Sequence, residues 1–153
     1  MLQNKGFTLI ELLVVIAIIG ILSSVIFTWL TNAKQNSEDT AVKNGLNQAR
    51  TQADLYYNVN GIYTGICSTI KDASDPKGIN RMIFSSGKSS GYNDSVTVNG
   101  VGSSQVRCND ASNGWAAEVP LKRVAGYYCV DYNRAGIVTT NSIGEAPGYA
   151  YCR

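Results

Sequence analysis

Residues 7–30 read FTLIELLVVIAIIGILSSVIFTWL, and this stretch decides the architecture. It holds one charge, Glu11, and no proline. As a helix it spans about 36 Å, enough to cross a bilayer core of about 30 Å. Its β-branched residues would favour a strand in water. In lipid only the helix satisfies its own backbone, so a membrane helix is predicted. Lys5 and the apolar run fit a secretory signal peptide, but no A-x-A-like cleavage site follows; Ser23 and Ser24 are poor matches. Glu11 is the anomaly. A carboxylate costs roughly 2.5–3.5 kcal/mol near a bilayer centre, so it calls for a partner or for the headgroup level.

Downstream, polarity rises from Ala33. Val42, Leu46, Ala49, Ala53 and Tyr56 recur at spacings of four and three, an apolar stripe on a helix. Lys34, Glu38, Lys43, Gln48 and Arg50 fall mostly off the stripe. Gly45 weakens the helix by about 1 kcal/mol relative to alanine. Gly61 is placed to cap it, so one helix is expected from about residue 8 to 58. Its first half is apolar all round and needs lipid or sister helices. Its second half is amphipathic and needs a headpiece. Tyr56, Tyr57 and Tyr63 are read as packing the helix end against that headpiece rather than as a binding surface.

Residues 62–114 are rich in Ser, Gly, Asn and Asp and read as mostly loop, with Ile79–Ser85 and Ser95–Val101 as candidate short strands or turns. From Gly114 a strand pattern emerges. Trp115–Leu121, Val124–Tyr132 and Ile137–Thr140 are predicted strands, with a turn at Asn133–Gly136 and a closing loop at Ser142–Arg153. The fold class is α+β: the long helix packed on a three- or four-stranded antiparallel meander with loops stapled by disulfides.

The chain has 153 residues, 13 Lys+Arg against 11 Asp+Glu, and no histidine. This near-balance argues against nucleic acid as a partner. The absence of histidine excludes Ser–His and Cys–His nucleophile pairs and every His-ligated metal site. Cys67, Cys108, Cys129 and Cys152 form no CxxC pair, so disulfides outside the cytoplasm are expected over zinc; three pairings are open. Asp72, Asp75, Asp94, Asp110, Glu118, Asp131 and Glu145 are scattered, and nothing marks them as catalytic. GVGSS lacks the lysine and helix of a phosphate loop. Asn93-Asp94-Ser95 matches a glycosylation acceptor, a pattern common by chance. Lys122, Arg123 and Arg134 are read as a solvated face rather than a basic patch for DNA or surfaces. No catalytic, cofactor or metal site is expected.

The segment KGFTLIELLVVIAIIGIL closely resembles the leader and N-terminal helix of type IV pilins and type II secretion pseudopilins. A short basic leader, Gly then Phe, and Glu as the fifth residue from Phe make a specific pattern. YYNVNGIYTG is also similar to the Tyr-rich helix end of that family. The resemblance implies a cleaved leader at residues 1–6, cut by a prepilin peptidase between Gly6 and Phe7, with N-methylation of Phe7. It implies a membrane and later filament-core helix at 7–30, and an extracytoplasmic head at 31–153. In that head, 62–114 would be the variable region and 115–153 the meander and C-terminal loop. Glu11 would set the register of assembly by pairing with a neighbour's amine. Implied partners are copies of the chain itself, the peptidase, a membrane platform protein, an assembly ATPase and, before assembly, the lipid bilayer. The implied location is the cytoplasmic membrane, then a cell-surface filament.

Of the three cysteine pairings, Cys67–Cys108 with Cys129–Cys152 is favoured. The first would tie the variable region to the helix end. The second would match the C-terminal disulfide that commonly bounds a surface loop in pilins. One departure is the missing proline about 22 residues after the cut, where Thr28 stands; Gly20 and Ser23–Ser24 are the remaining weak points. With Asp131 and Glu145 the only acidic residues after Glu118, the calcium loop of major pseudopilins is not expected. The expected function is that of a non-catalytic filament subunit, a major pilin. The alternatives are a pseudopilin or minor pilin and, in another class, a membrane-anchored binding module that never polymerises.

Overall fold

The computed structural model of the chain describes residues 6–68, 78–92, 95–100, 105–133, 136–143 and 151–152. Residues 1–35 form one unit and residues 36–153 another. Helix α1 covers Leu9–Asn60. Among the described residues it is the helix long and apolar enough to cross a membrane.

Within the second unit, α1 buries the stripe Val42, Leu46, Ala49 and Ala53, each without solvent exposure. Asp39 continues that face and is also buried. The helix stops two residues later than the sequence pattern implies. Gly61 adopts φ 72°, a left-handed conformation that glycine tolerates, and its amide donates to the Tyr57 carbonyl at 2.7 Å. The Tyr56 hydroxyl donates to the Thr64 carbonyl at 2.9 Å and ties the following turn back to the helix.

The head carries a five-stranded sheet in the order β1-β2-β3-β4-β5. The strands are β1 (Thr97–Val98), β2 (Arg107–Ala111), β3 (Gly114–Pro120), β4 (Tyr127–Asp131) and β5 (Gly136–Thr139). β3, β4 and β5 are the three predicted strands of the antiparallel meander; β2 extends it from within the stretch read as mostly loop, and β1 is a fifth strand that runs parallel to β2. β1 falls inside Ser95–Val101, a candidate short strand or turn in the sequence, whereas β2 reads RCNDA and shows no apolar alternation. Every residue of β3 is buried, so both faces of the sheet centre are covered.

Residues 79–89 correct the sequence reading. Where a short strand or turn was expected, helix α2 spans Asn80–Ser89. Its buried face is Ile83, Ser86 and Gly87, with Asn80 at its start and Ile79 just before it. The face follows helical spacing, but half of it is made of small or polar residues, so an apolar pattern did not reveal it. These small residues permit close approach. A Cβ on Gly45 of α1 would collide with Ser86 Oγ, and one on Gly87 would come within 2.7 Å of Val106. Gly45 therefore does more than weaken α1: it makes room for α2.

The sheet separates two cores. On the α1 side, Trp115, Ala117, Val119 and Val130 pack with the stripe and with Ile66, Ile79 and Ile83. On the other side a small cluster joins Ala116, Cys129 and Ile143, with Cys152 against it. The disulfides are Cys67–Cys108, with Cα atoms 5.6 Å apart, and Cys129–Cys152, with Cα atoms 5.8 Å apart. Each core thus holds one bridge. The β3–β4 loop docks on α1 through Asp39, which accepts the backbone amides of Lys122 at 2.7 Å and Arg123 at 3.2 Å.

Candidate functional site

Phe7 and the large apolar residues from Leu9 to Leu30 are exposed on every side of α1, Phe7 by 90%. A helix that is apolar all round belongs in lipid or in a bundle of like helices. Its polar exception is local. The Thr8 amide and hydroxyl both donate to Glu11 Oε2, at 2.8 and 2.7 Å, and the Glu11 amide donates to Thr8 Oγ1 at 3.3 Å. This reciprocal pattern is a capping box, and it satisfies amides that the first helical turn leaves without partners. Thr8-x-x-Glu11 is legible as a capping box, yet the sequence reading considered Glu11 without Thr8. Both Thr8 donors meet the same oxygen, which leaves Oε1 to other donors. A carboxylate at a helix N-terminus also complements the helix dipole. Gly6 and Phe7 precede the cap and are exposed.

The head's candidate residues turn inward or into packing. Asp110 is buried; it accepts the Cys67 amide at 2.8 Å on Oδ2 and the Asn99 side-chain amide at 2.9 Å on Oδ1. Asp131 is buried and accepts the Cys152 amide at 2.9 Å. Glu118 is fully buried; it accepts the Ile143 amide at 2.9 Å and the Ser142 hydroxyl, and Arg107 lies 3.6 Å away. Burial pushes the Glu118 carboxyl above the usual carboxylate range, against the opposing effect of Ser142, Ile143 and Arg107. Ser142 also accepts from Arg107, so it links the acid and the base.

Asp72, Asp75, Asp94, Glu145, Asn93 and Arg134 lie outside the described residues. Lys122 Nζ stands 5.9 Å from the Tyr92 ring. Arg123 donates to Asn36 Oδ1 at 2.7 Å, within the docked loop. Tyr57 stacks on Tyr63 with ring centroids 4.6 Å apart, and Tyr63 lies 6.3 Å from Tyr132, the packing role expected at the helix end. Among the described residues no group of three His, Cys, Asp or Glu side chains could hold a metal ion. The buried acids Asp39, Asp110 and Glu118 are backbone anchors; Asp39 and Asp110 stand in polar stretches, whereas the apolar run WAAEVPL around Glu118 was a signal of its burial.

A long helix with an apolar, acid-marked N-terminal part, and a mostly antiparallel sheet closed by two disulfides, make up a type IV pilin-like α+β fold. Residues 1–27 match the family described as the prokaryotic N-terminal methylation motif. The chain is 47% identical over 64 residues to the type IV wide pilus major component PilA4 of Thermus thermophilus. That alignment covers 42% of this chain and 49% of the relative, so the chain spans about half the length of the curated relative it matches. No solved structure matches the chain.

Proposed function

We propose that the chain is the major structural subunit of a type IV pilus-like filament, a protein without catalytic activity. The observation that carries this reading is the exposed apolar part of α1 with its acidic first turn. In this reading a prepilin peptidase cuts between Gly6 and Phe7 on the cytoplasmic side of the membrane, and Phe7 is N-methylated. The helix first holds the precursor in the cytoplasmic membrane. It then moves laterally from lipid into a bundle of identical helices, driven by a platform protein and an ATPase. The heads form the outer surface of a cell-surface filament. Head-to-tail addition does not close, so an open helix of subunits results.

Cleavage puts a cationic amine at the start of an apolar helix. Burying that cation among packed helices is costly unless an anion lies close. Glu11, one turn along, supplies the anion to an incoming neighbour, and Oε1 is the oxygen that its own Thr8 does not take. The pair then specifies axial register more than it adds stability. The relative named as a wide pilus major component supports the major-subunit role.

The test is intact mass and N-terminal sequencing of filaments sheared from the native cell. The expected dominant species begins at N-methyl-Phe7 and is four hydrogens light for two disulfides. Processed chain found only in the membrane or at trace level would assign a minor pilin or a pseudopilin instead. An unprocessed chain starting at Met1 would leave a membrane-anchored binding module.

A further inference from the structure

The two disulfides are set in different surroundings. Cys67 and Cys108 are both fully buried in the core beneath α1. Around them the Cys67 amide donates to Asp110, and its carbonyl accepts from Asn80 at 3.0 Å. Cys129 is also fully buried, but its partner Cys152 is part-exposed. Cys152 packs on the small outer cluster of Ala116, Cys129 and Ile143. Its amide donates to Asp131 at 2.9 Å.

We propose that Cys129–Cys152 is a thiol–disulfide exchange site and that Cys67–Cys108 is a sealed structural bridge. A thiolate reacts with a disulfide only where it can reach a sulfur, so access decides which bridge exchanges. The thiolate of an external dithiol attacks Sγ of Cys152, the cysteine of the pair that is not fully buried. A sulfur–sulfur bond forms there, the Cys129–Cys152 bond breaks, and Cys129 leaves as a thiolate that takes up a proton. The second thiol of the reagent then attacks its own mixed-disulfide sulfur and releases Cys152. The dithiol is oxidised to a disulfide by two electrons, and both cysteines are reduced. The Cys129 thiol, once protonated, suits its apolar cluster, since free cysteine is a small buried hydrophobe. The helix-facing core takes no part, because the sheet lies between the two clusters. By contrast, reaching Cys67–Cys108 requires opening that core, which costs up to the full unfolding free energy.

The full chain in detergent micelles, without denaturant, is exposed to dithiothreitol for graded times, trapped with iodoacetamide and mapped by peptide mass. Cys129 and Cys152 should be labelled together, at least about tenfold faster than Cys67 and Cys108, as local opening outpaces global opening. Near-UV circular dichroism of the head should persist while they are labelled. Equal rates, the reverse order, no labelling short of denaturant, or loss of the near-UV signal in step with Cys129 labelling would each overturn the proposal. A Cys129→Ser/Cys152→Ser double variant should fold and keep Cys67 and Cys108 unlabelled; its failure to fold counts against the proposal too.

Discussion

The two parts of α1 obey opposite rules in one continuous helix. From Phe7 to Leu30 large apolar side chains face solvent on all sides. From Asp39 to Ala53 one stripe is sealed and the remaining faces are mostly polar. The backbone is the same, so secondary structure is not what separates them. What differs is the number of apolar faces. One stripe can be covered by one sheet, whereas an apolar cylinder can be covered only by lipid or by several other helices. On the filament reading proposed above, the contrast separates the part that would assemble from the part whose sealed stripe folds the head.

The sharpest way to break this contrast is to separate the cap that Glu11 makes from the register role proposed for it. Glu11→Ala should leave the chain membrane-inserted and processed. Filament yield should fall more than about tenfold, because a buried cation without its anion is strongly disfavoured. Thr8→Ala removes the hydroxyl half of the capping box and keeps the carboxylate. It should fray the first turn yet still give filaments in the shearing assay. Equal loss in both variants would show that the cap, not the register pair, governs assembly.

Next comes core truncation. Leu46→Ala should destabilise the head by about 2–5 kcal/mol in chemical denaturation, as for other large-to-small changes at sealed sites. Ile16→Ala, in the exposed part, should leave the head's unfolding midpoint unmoved. A matching loss at Ile16 would mean that the apolar part is folded onto the head in solution.

The two glycines of α1 make a smaller and finer comparison. A Cβ at Gly20 meets nothing within 4 Å, whereas one at Gly45 strikes Ser86. Gly45→Ala should therefore cost about 1–3 kcal/mol, as overpacking does, although helix propensity alone favours alanine. Adding Ser86→Ala should recover much of that loss in a double-mutant cycle. A stabilised Gly45→Ala single variant would refute the close approach of α2.

The smallest effect concerns pH. The Glu118 carboxyl is held above its ordinary value of 4.5 by burial, so the folded head binds this proton more tightly than the unfolded chain. Its contribution to stability is complete below about pH 4.5 and is lost as pH rises through the higher folded-state value. Glu118→Gln should remove that share of the pH dependence in thermal melts of the head. Identical slopes for both proteins would place the proton elsewhere.

Much was already decided by residue order. Leu12 to Leu22 is apolar or glycine without a break, and no tertiary partner can change what such a helix requires of its surroundings. The stripe from Val42 to Ala53 and the alternation in β4 carried their periods openly, so α1 and the last three strands of the meander were legible, while β2 was not. Thr8-x-x-Glu11 was equally open, being a local pattern within one turn. Other features depended on distant contacts. Asn80–Ser89 packs as a helix where Ser86 and Gly87 meet Gly45 and Val106 across the fold, a fit of small residues that leaves no apolar period. Nothing in residue order marks Asp39 or Asp110 as buried, yet each, like Glu118, meets backbone amides brought by other segments, and only those amides make a buried carboxylate tolerable. Which bridge has both cysteines fully buried and which has one part-exposed was decided the same way. Cysteine spacing carries no burial, and burial arises only when the sheet divides one core from the other.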